Sequence, residues 1–141
     1  MPDADAIASL AAELGYPTTG EAVRSRIEAI GPSRSDLLLV ATNGGGEIIG
    51  WLQAIAAHIL ESGFRVEIVG LIVSSRIRRG GIGRALVAAA ERWARDIQAE
   101  SLIVRSNIKR VESHAFYRAL GFSSTKTQQV YRKALPAHPP A

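Results

Sequence analysis

Residue types and spacing point to chemistry first in the run Val73-Ser74-Ser75-Arg76-Ile77-Arg78-Arg79-Gly80-Gly81-Ile82-Gly83-Arg84. Four arginines fall at 76, 78, 79 and 84, and glycines stand at 80, 81 and 83. Glycine removes side chains where a ligand must approach the backbone. An apolar strand pattern, Leu71-Ile72-Val73, leads in, and an amphipathic helix pattern leads out. The first turn of a helix carries N–H groups without intrahelical partners, and its dipole favours an anion there. Arginine forks suit phosphate oxygens. The run therefore predicts a phosphate cradle at the first turn of that helix, with the arginines supplying the remaining charge. Two other phosphate motifs do not fit. A P-loop needs G-x-x-x-x-G-K-[ST], and that spacing is absent. A dinucleotide fingerprint needs G-x-G-x-x-G/A, but Leu86 stands at the third position after Gly83, and Arg105-Ser106-Asn107 stands where an acid is required.

The charge pattern agrees with an anion site in the second half. Residues 1–67 hold nine acids and four bases, whereas residues 68–141 hold four acids and thirteen bases. No acid occurs from Ile68 to Ala90, and 14 of the 17 bases are Arg. With no Cys, the chain has no disulfide, thiolate metal site or cysteine nucleophile. Three scattered His disfavour a structural zinc site. No apolar run reaches the length of a membrane span, and the acidic start MPDADAIASL lacks the basic region of a signal peptide. The expectation is a soluble, cytoplasmic protein with no metal and no membrane partner.

The elements that must position this loop can be read from periodicity. Asp3 or Asp5 caps a helix with the stripe Ile7, Leu10, Ala11 and Leu14, ended by Gly15. Thr18 and Glu21 form a capping box for a second helix with Val23, Ile27 and Ile30 on one face, stopped at Gly31-Pro32. Strands follow at about 37–42, 47–60 and 65–74, joined by Asn43-Gly44-Gly45-Gly46 and by a bend at Glu61-Ser62-Gly63. Their short connections predict an antiparallel meander. The helix after the Gly-Arg loop should bury Leu86, Val87, Ala90, Trp93, Ala94 and Ile97. Then come a strand at 101–105, a helix at about 111–120 with Gly121 as its left-handed cap and Phe122 as hydrophobic partner, and an alternating strand at 128–135. One domain over 1–135 and a disordered Pro- and Ala-rich tail over 136–141 are expected.

Arg78-x-x-Gly81-x-Gly83 has the form R/Q-x-x-G-x-G/A, and N-I-K-R-V-E-S-H-A-F-Y-R-A-L-G-F follows at 107–122. Together these resemble the GNAT superfamily of acyl-CoA-dependent N-acetyltransferases, over about residues 37–135. The resemblance implies an α/β (α+β) fold: a mixed, mostly antiparallel sheet flanked by about four helices. It implies acetyl-CoA as cofactor and a small-molecule or peptide amine as partner. It implies cofactor contacts from Leu71, Ile72 and Val73, from Arg78, Arg79, Gly80, Gly81, Ile82, Gly83 and Arg84, and from Asn107, Phe116 and Tyr117. Val73 would offer backbone N–H and C=O to the pantetheine arm where its strand splays from the next. Tyr117 would protonate the departing thiolate. A phenol of pKa about 10 is a fair acid for a thiolate of about 8.5.

For the amine's proton, the resemblance implies a Glu on this strand; Val69 stands at the position most expected for it, and Glu67, which shares a strand face with Val69, Leu71 and Val73 by period-two spacing, is the nearest substitute as base. A cross-strand ion pair is the competing role for Glu67. His58 is a further candidate, and His114 reads as a packing residue. Such folds begin with a strand before the first helix, whereas this chain starts in a helix cap. Either the sheet lacks its first strand or something else covers its edge, a homodimer partner being one candidate. Two other readings remain open: a non-catalytic acyl-CoA-binding module, and a nucleic-acid binder, which eight aromatics largely in core patterns disfavour.

Overall fold

The computed structural model describes residues 3–13, 17–77, 81–105 and 111–137 (backbone only at 111 and 112). Two compact units result, residues 1–105 and 106–141.

In the first unit, α1 (Asp3–Glu13) and α2 (Gly20–Ile30) precede strands β1 (Asp36–Thr42), β2 (Ile48–Ile59) and β3 (Gly63–Val73). A 3-10 turn (Ser75–Ile77), α3 (Ile82–Asp96) and β4 (Ser101–Val104) follow. The sheet order is β1-β2-β3-β4. The first three strands form the antiparallel meander, and β4 joins β3 in parallel. The first strand usual for the resembled fold is absent from the described sheet, where β1 is an edge. In the turn between β1 and β2, Asn43 Oδ1 accepts from the N–H groups of Gly45 and Glu47, each at 3.0 Å.

The sheet has a helix layer on each side. Residues directly opposite in adjacent strands share a face. Leu52, Ala54, Val66 and Ile68 lie on one face and are buried. Against that face packs α3, through Leu86, Val87, Ala90 and Ala94. Trp93 and Ile97 are only half-buried. At Gly50, a Cβ would stand 3.3 Å from Ile82 Cγ2 and 3.4 Å from Leu86 Cδ1. On the opposite face, Trp51 joins Ala4, Ile7 and Ala8 of α1 with Val23 and Ile27 of α2. Leu10 and Ala11 continue that layer onto Ile48 and Ile72.

One local expectation is corrected. The N-cap of α2 is Thr19, one residue later than the Thr18 box, and its hydroxyl accepts from Ala22 N–H at 3.0 Å. Thr18 instead accepts from Arg26 at 3.3 Å. Gly15 lies outside the described residues.

The second unit contains α4 (Val111–Ala119), closed by Gly121 at φ 92° as expected. The strand expected at 128–135 does not form: residues 123–137 are exposed and carry no ladder among the described residues. Alternation suits a strand only when a neighbouring strand supplies hydrogen bonds and a covered face. Tyr131 donates to Gln129 Oε1 at 3.0 Å, two residues back in the chain.

Candidate functional site

The N-cap of α3 is Gly81, in the left-handed region at φ 79° with no side-chain capping bond. A Cβ there would have nothing within 4 Å. Backbone conformation, rather than space, therefore requires glycine at this position. The first intrahelical bond runs from Ala85 N–H to Gly81 O at 2.9 Å. Among the described residues no acceptor meets the N–H groups of Ile82, Gly83 and Arg84. These are the orphan donors of a helix start. Arg84 is exposed at their side, and Ile82 is half-buried against the sheet. The expected contributors Arg78, Arg79, Gly80 and Asn107 lie outside the described residues.

Among the described residues, the strand edge beside this helix start has no partner strand. Pairing of β3 with β4 covers Arg65↔Ser101 to Ile68↔Val104 and ends there, while β3 continues to Val73. Ser74 N–H donates back to Ile49 O of β2 at 2.8 Å. Backbone groups alternate sides along a strand. The N–H and C=O of Val73 and Leu71 therefore point away from β2, to the side where β4 has stopped. No described strand pairs with them.

Just beyond the last β4 partner, β3 carries an extra residue. The β2–β3 register shifts between Gln53↔Gly70 and Ala54↔Ile68, leaving Val69 as a bulge, 46% exposed. Bulges bend a strand and interrupt its ladder. The same bulge corrects the expected placement of Glu67. Period-two counting puts Glu67 on the face of Leu71 and Val73, but one extra residue reverses that relation. Glu67 lies opposite Ile55, on the face of Gly70 and Ile72. Its carboxylate, 16% exposed, is flanked by Arg65 Nη2 at 3.4 Å and Arg105 Nε at 3.3 Å. The ion pair weighed against a catalytic role is therefore present. His58, opposite Phe64, stacks on that ring at 4.3 Å.

Between β3 and α3, Ser74 is 1% exposed, its carbonyl accepts from Ile77 N–H at 3.1 Å, and its hydroxyl accepts from Arg76 N–H at 3.4 Å. Ser75 donates its N–H to Glu13 Oε1 of α1 at 2.9 Å, and its hydroxyl donates to the same oxygen. Glu47 reaches Arg76 at 3.7 Å. Sequence reasoning missed the Glu13–Ser75 pair, because no local pattern joins residues 62 positions apart.

In the second unit, Phe122 N–H donates to Tyr117 O and Gly121 N–H to Arg118 O, each at 3.1 Å. This is a Schellman closure, with the C″ side chain over C3. Phe122 accordingly meets the Tyr117 ring edge-on at 5.7 Å, and Phe116 meets it at 5.2 Å. The tyrosine ring is thus fixed by two aromatic neighbours.

Orphan amides at a helix start can hold an anion, and a bare strand edge can pair with an amide-bearing chain. Among the described residues no helix is long and apolar enough to cross a membrane, and no group of acidic or His side chains is placed to hold a metal ion.

Comparison with known proteins agrees with this architecture. The chain is 29% identical over 143 residues to an aminoglycoside N(6')-acetyltransferase type 1 of Stenotrophomonas maltophilia, spanning 98% of this chain and 92% of that protein. An aminoalkylphosphonate N-acetyltransferase of Salmonella typhimurium is 33% identical over 81 residues, 57% of this chain and 53% of that one. In fold, the chain resembles the aminoglycoside N-acetyltransferase AAC(6')-Iy in complex with CoA, at TM-score 0.82 and 23% identity, covering 94% of this chain and 89% of that one. Residues 6–122 match the acetyltransferase (GNAT) family. With a left-handed glycine at the head of α3, a β3 that runs on past its last partner in β4, and a family match over residues 6–122, this chain belongs to the GNAT acetyltransferase family.

Proposed function

We propose that the protein transfers an acetyl group from acetyl-CoA to a primary amine of a small polar molecule. The observation that carries this reading is that, among the described residues, the amides at Ile82–Arg84 have no acceptor and the β3 edge at Leu71 and Val73 has no partner strand. The donor set fits coenzyme A. A diphosphate suits the helix start, and the amides of a pantetheine arm suit an unpaired strand edge. The open space at Gly81 leaves room for the approach. Bound there, acetyl-CoA supplies an activated thioester whose acyl group passes directly to the amine, leaving an amide and a free thiol.

Each residue then has a role. Ile82, Gly83 and Arg84 hold the diphosphate with Gly81, and Arg78, Arg79 and Gly80 extend the same loop. Leu71, Ile72 and Val73 form the strand edge that orients the arm, and the Val73 N–H polarises the reacting carbonyl. Asn107 and Phe116 line the arm. Tyr117 gives its proton to the departing sulfur. Glu67 takes the amine's proton, directly or through water. The protein works in the cytoplasm.

The acceptor class follows from similarity and charge. The Stenotrophomonas relative is named for aminoglycosides, which are polyamines. The first half of this chain is net acidic, with Asp3, Asp5, Glu21 and Glu28 exposed. A cationic small-molecule amine is therefore the preferred acceptor, although exposed charges act weakly over distance. The test is thiol release from acetyl-CoA across a panel of aminoglycosides, aminoalkylphosphonates and peptides. Turnover on an amine supports the enzyme reading. Tight CoA binding with no turnover on any amine supports the second reading, a non-catalytic acyl-CoA-binding module. The engagement of Glu67 by two guanidinium groups favours that second reading. Glu67→Gln separates the two roles of Glu67. Loss of the acidic limb of the kcat/KM pH profile identifies a base. An unchanged profile with a lower melting temperature identifies an ion-pair anchor.

A further inference from the structure

We propose that Glu13 is a positioning residue for coenzyme binding, acting through Ser75 on the turn that joins β3 to α3. The proposal rests on the coenzyme reading above. The turn Ser75–Ile77 lies between two half-sites: the bare edge of β3 before it and the orphan amides of α3 after it. A change in its tilt alters the spacing between them. A single 3-10 turn has poor hydrogen-bond geometry and does not hold its shape alone. Here its own bond is Ile77 N–H to Ser74 O.

Outside support comes from two sides. On the inner side, Ser74 is buried and tied to β2. On the outer side, the Glu13 carboxylate receives both the N–H and the hydroxyl of Ser75. Hydrogen bonds to an ionised acceptor are stronger than neutral ones. The post that carries Glu13 is itself fixed, because α1 buries Ile7, Leu10 and Ala11 against the sheet and α2. Glu13 thus ties the helix layer on one face of the sheet to the connection that leads to α3 on the other.

Charge and geometry predict opposite outcomes, which makes the role testable. A carboxylate beside a diphosphate site weakens anion binding by repulsion. A carboxylate that holds the site in shape strengthens it, since small misplacements of a preorganised site are costly. Glu13→Gln keeps an acceptor oxygen and removes the charge; Glu13→Ala removes both.

The experiment is calorimetric titration of the full chain with coenzyme A, with thermal melts, steady-state kinetics and hydrogen exchange over residues 74–77. We expect Glu13→Ala to weaken coenzyme A about tenfold and to raise KM for acetyl-CoA with kcat within about twofold. Glu13→Gln should restore affinity to within about twofold of the unaltered chain. Ser75→Ala should fall between them, and the double variant should bind no worse than Glu13→Ala, as expected for one shared interaction. Exchange at 74–77 should quicken in Glu13→Ala without any coenzyme present. Unchanged affinity in Glu13→Ala, a lower melting temperature alone, or tighter binding in that variant would each overturn the proposal. Failure of the unaltered chain to bind coenzyme A would overturn the coenzyme reading itself, and the exchange data would still report whether Glu13 holds the turn.

Discussion

Gly81 and Tyr117 illustrate two ways in which single residues constrain this protein. Gly81 is required by its positive φ, not by crowding. Gly81→Ala should therefore cost about 1–2 kcal/mol of backbone strain without a clash, read as a lower urea midpoint. Gly81→Glu adds a carboxylate at the cradle and should abolish coenzyme A binding by calorimetry; retained micromolar affinity would remove Gly81 from the site. Tyr117 is held by Phe116 and Phe122 on its ring, so Tyr117→Phe leaves that packing intact. Its kcat should fall by about a hundredfold with KM for acetyl-CoA little changed, as for loss of a general acid. Unaltered kcat would take the acid role from Tyr117.

At the scale of elements, β3 decides the site. Its bulge at Val69 turns Glu67 to the other face, and beyond Ile68 no described strand pairs with its edge at Leu71 and Val73. Next to the bulge, Gly70 makes room for Trp51: a Cβ there would stand 2.7 Å from Cζ3 of that ring. Because Trp51 is packed into both helix-facing clusters, the ring cannot easily withdraw. Gly70→Ala should destabilise the protein by about 1–3 kcal/mol, the usual cost of overpacking, measured by equilibrium urea unfolding. An unchanged midpoint would show that β3 adjusts at the bulge instead.

Across the whole molecule, stability is unevenly distributed. The first unit holds the sheet and its two helix layers, whereas residues 123–137 expose Val130, Tyr131 and Leu135 at 82–88%. Exposed backbone without a ladder opens at little cost. Limited trypsin digestion should therefore cut first after Lys126, Arg132 or Lys133, before Arg92 or Arg95 on α3. Earlier cleavage within α3 would contradict this order. The basic second half makes a further prediction. Coenzyme A affinity should weaken several-fold between low and high salt, because exposed arginines are screened. An affinity that does not respond to salt would assign the diphosphate to the main-chain amides alone.

Local patterns in the sequence determined the helices, the meander, the glycine at the head of α3 and the Gly121 closure. Those features depend on residues a few positions apart: apolar spacing, glycine at a positive φ, and a cap beside the helix it serves. The tertiary structure decided what depends on pairing across the chain. Where β4 stops, which residue of β3 bulges, and therefore which face carries Glu67, follow from register between strands. The bond from Glu13 to Ser75 follows from helix packing over 62 positions. The strand pattern at 128–135 met no described partner, because alternation specifies only a segment able to pair, and a ladder needs a second strand to supply the other half of its hydrogen bonds.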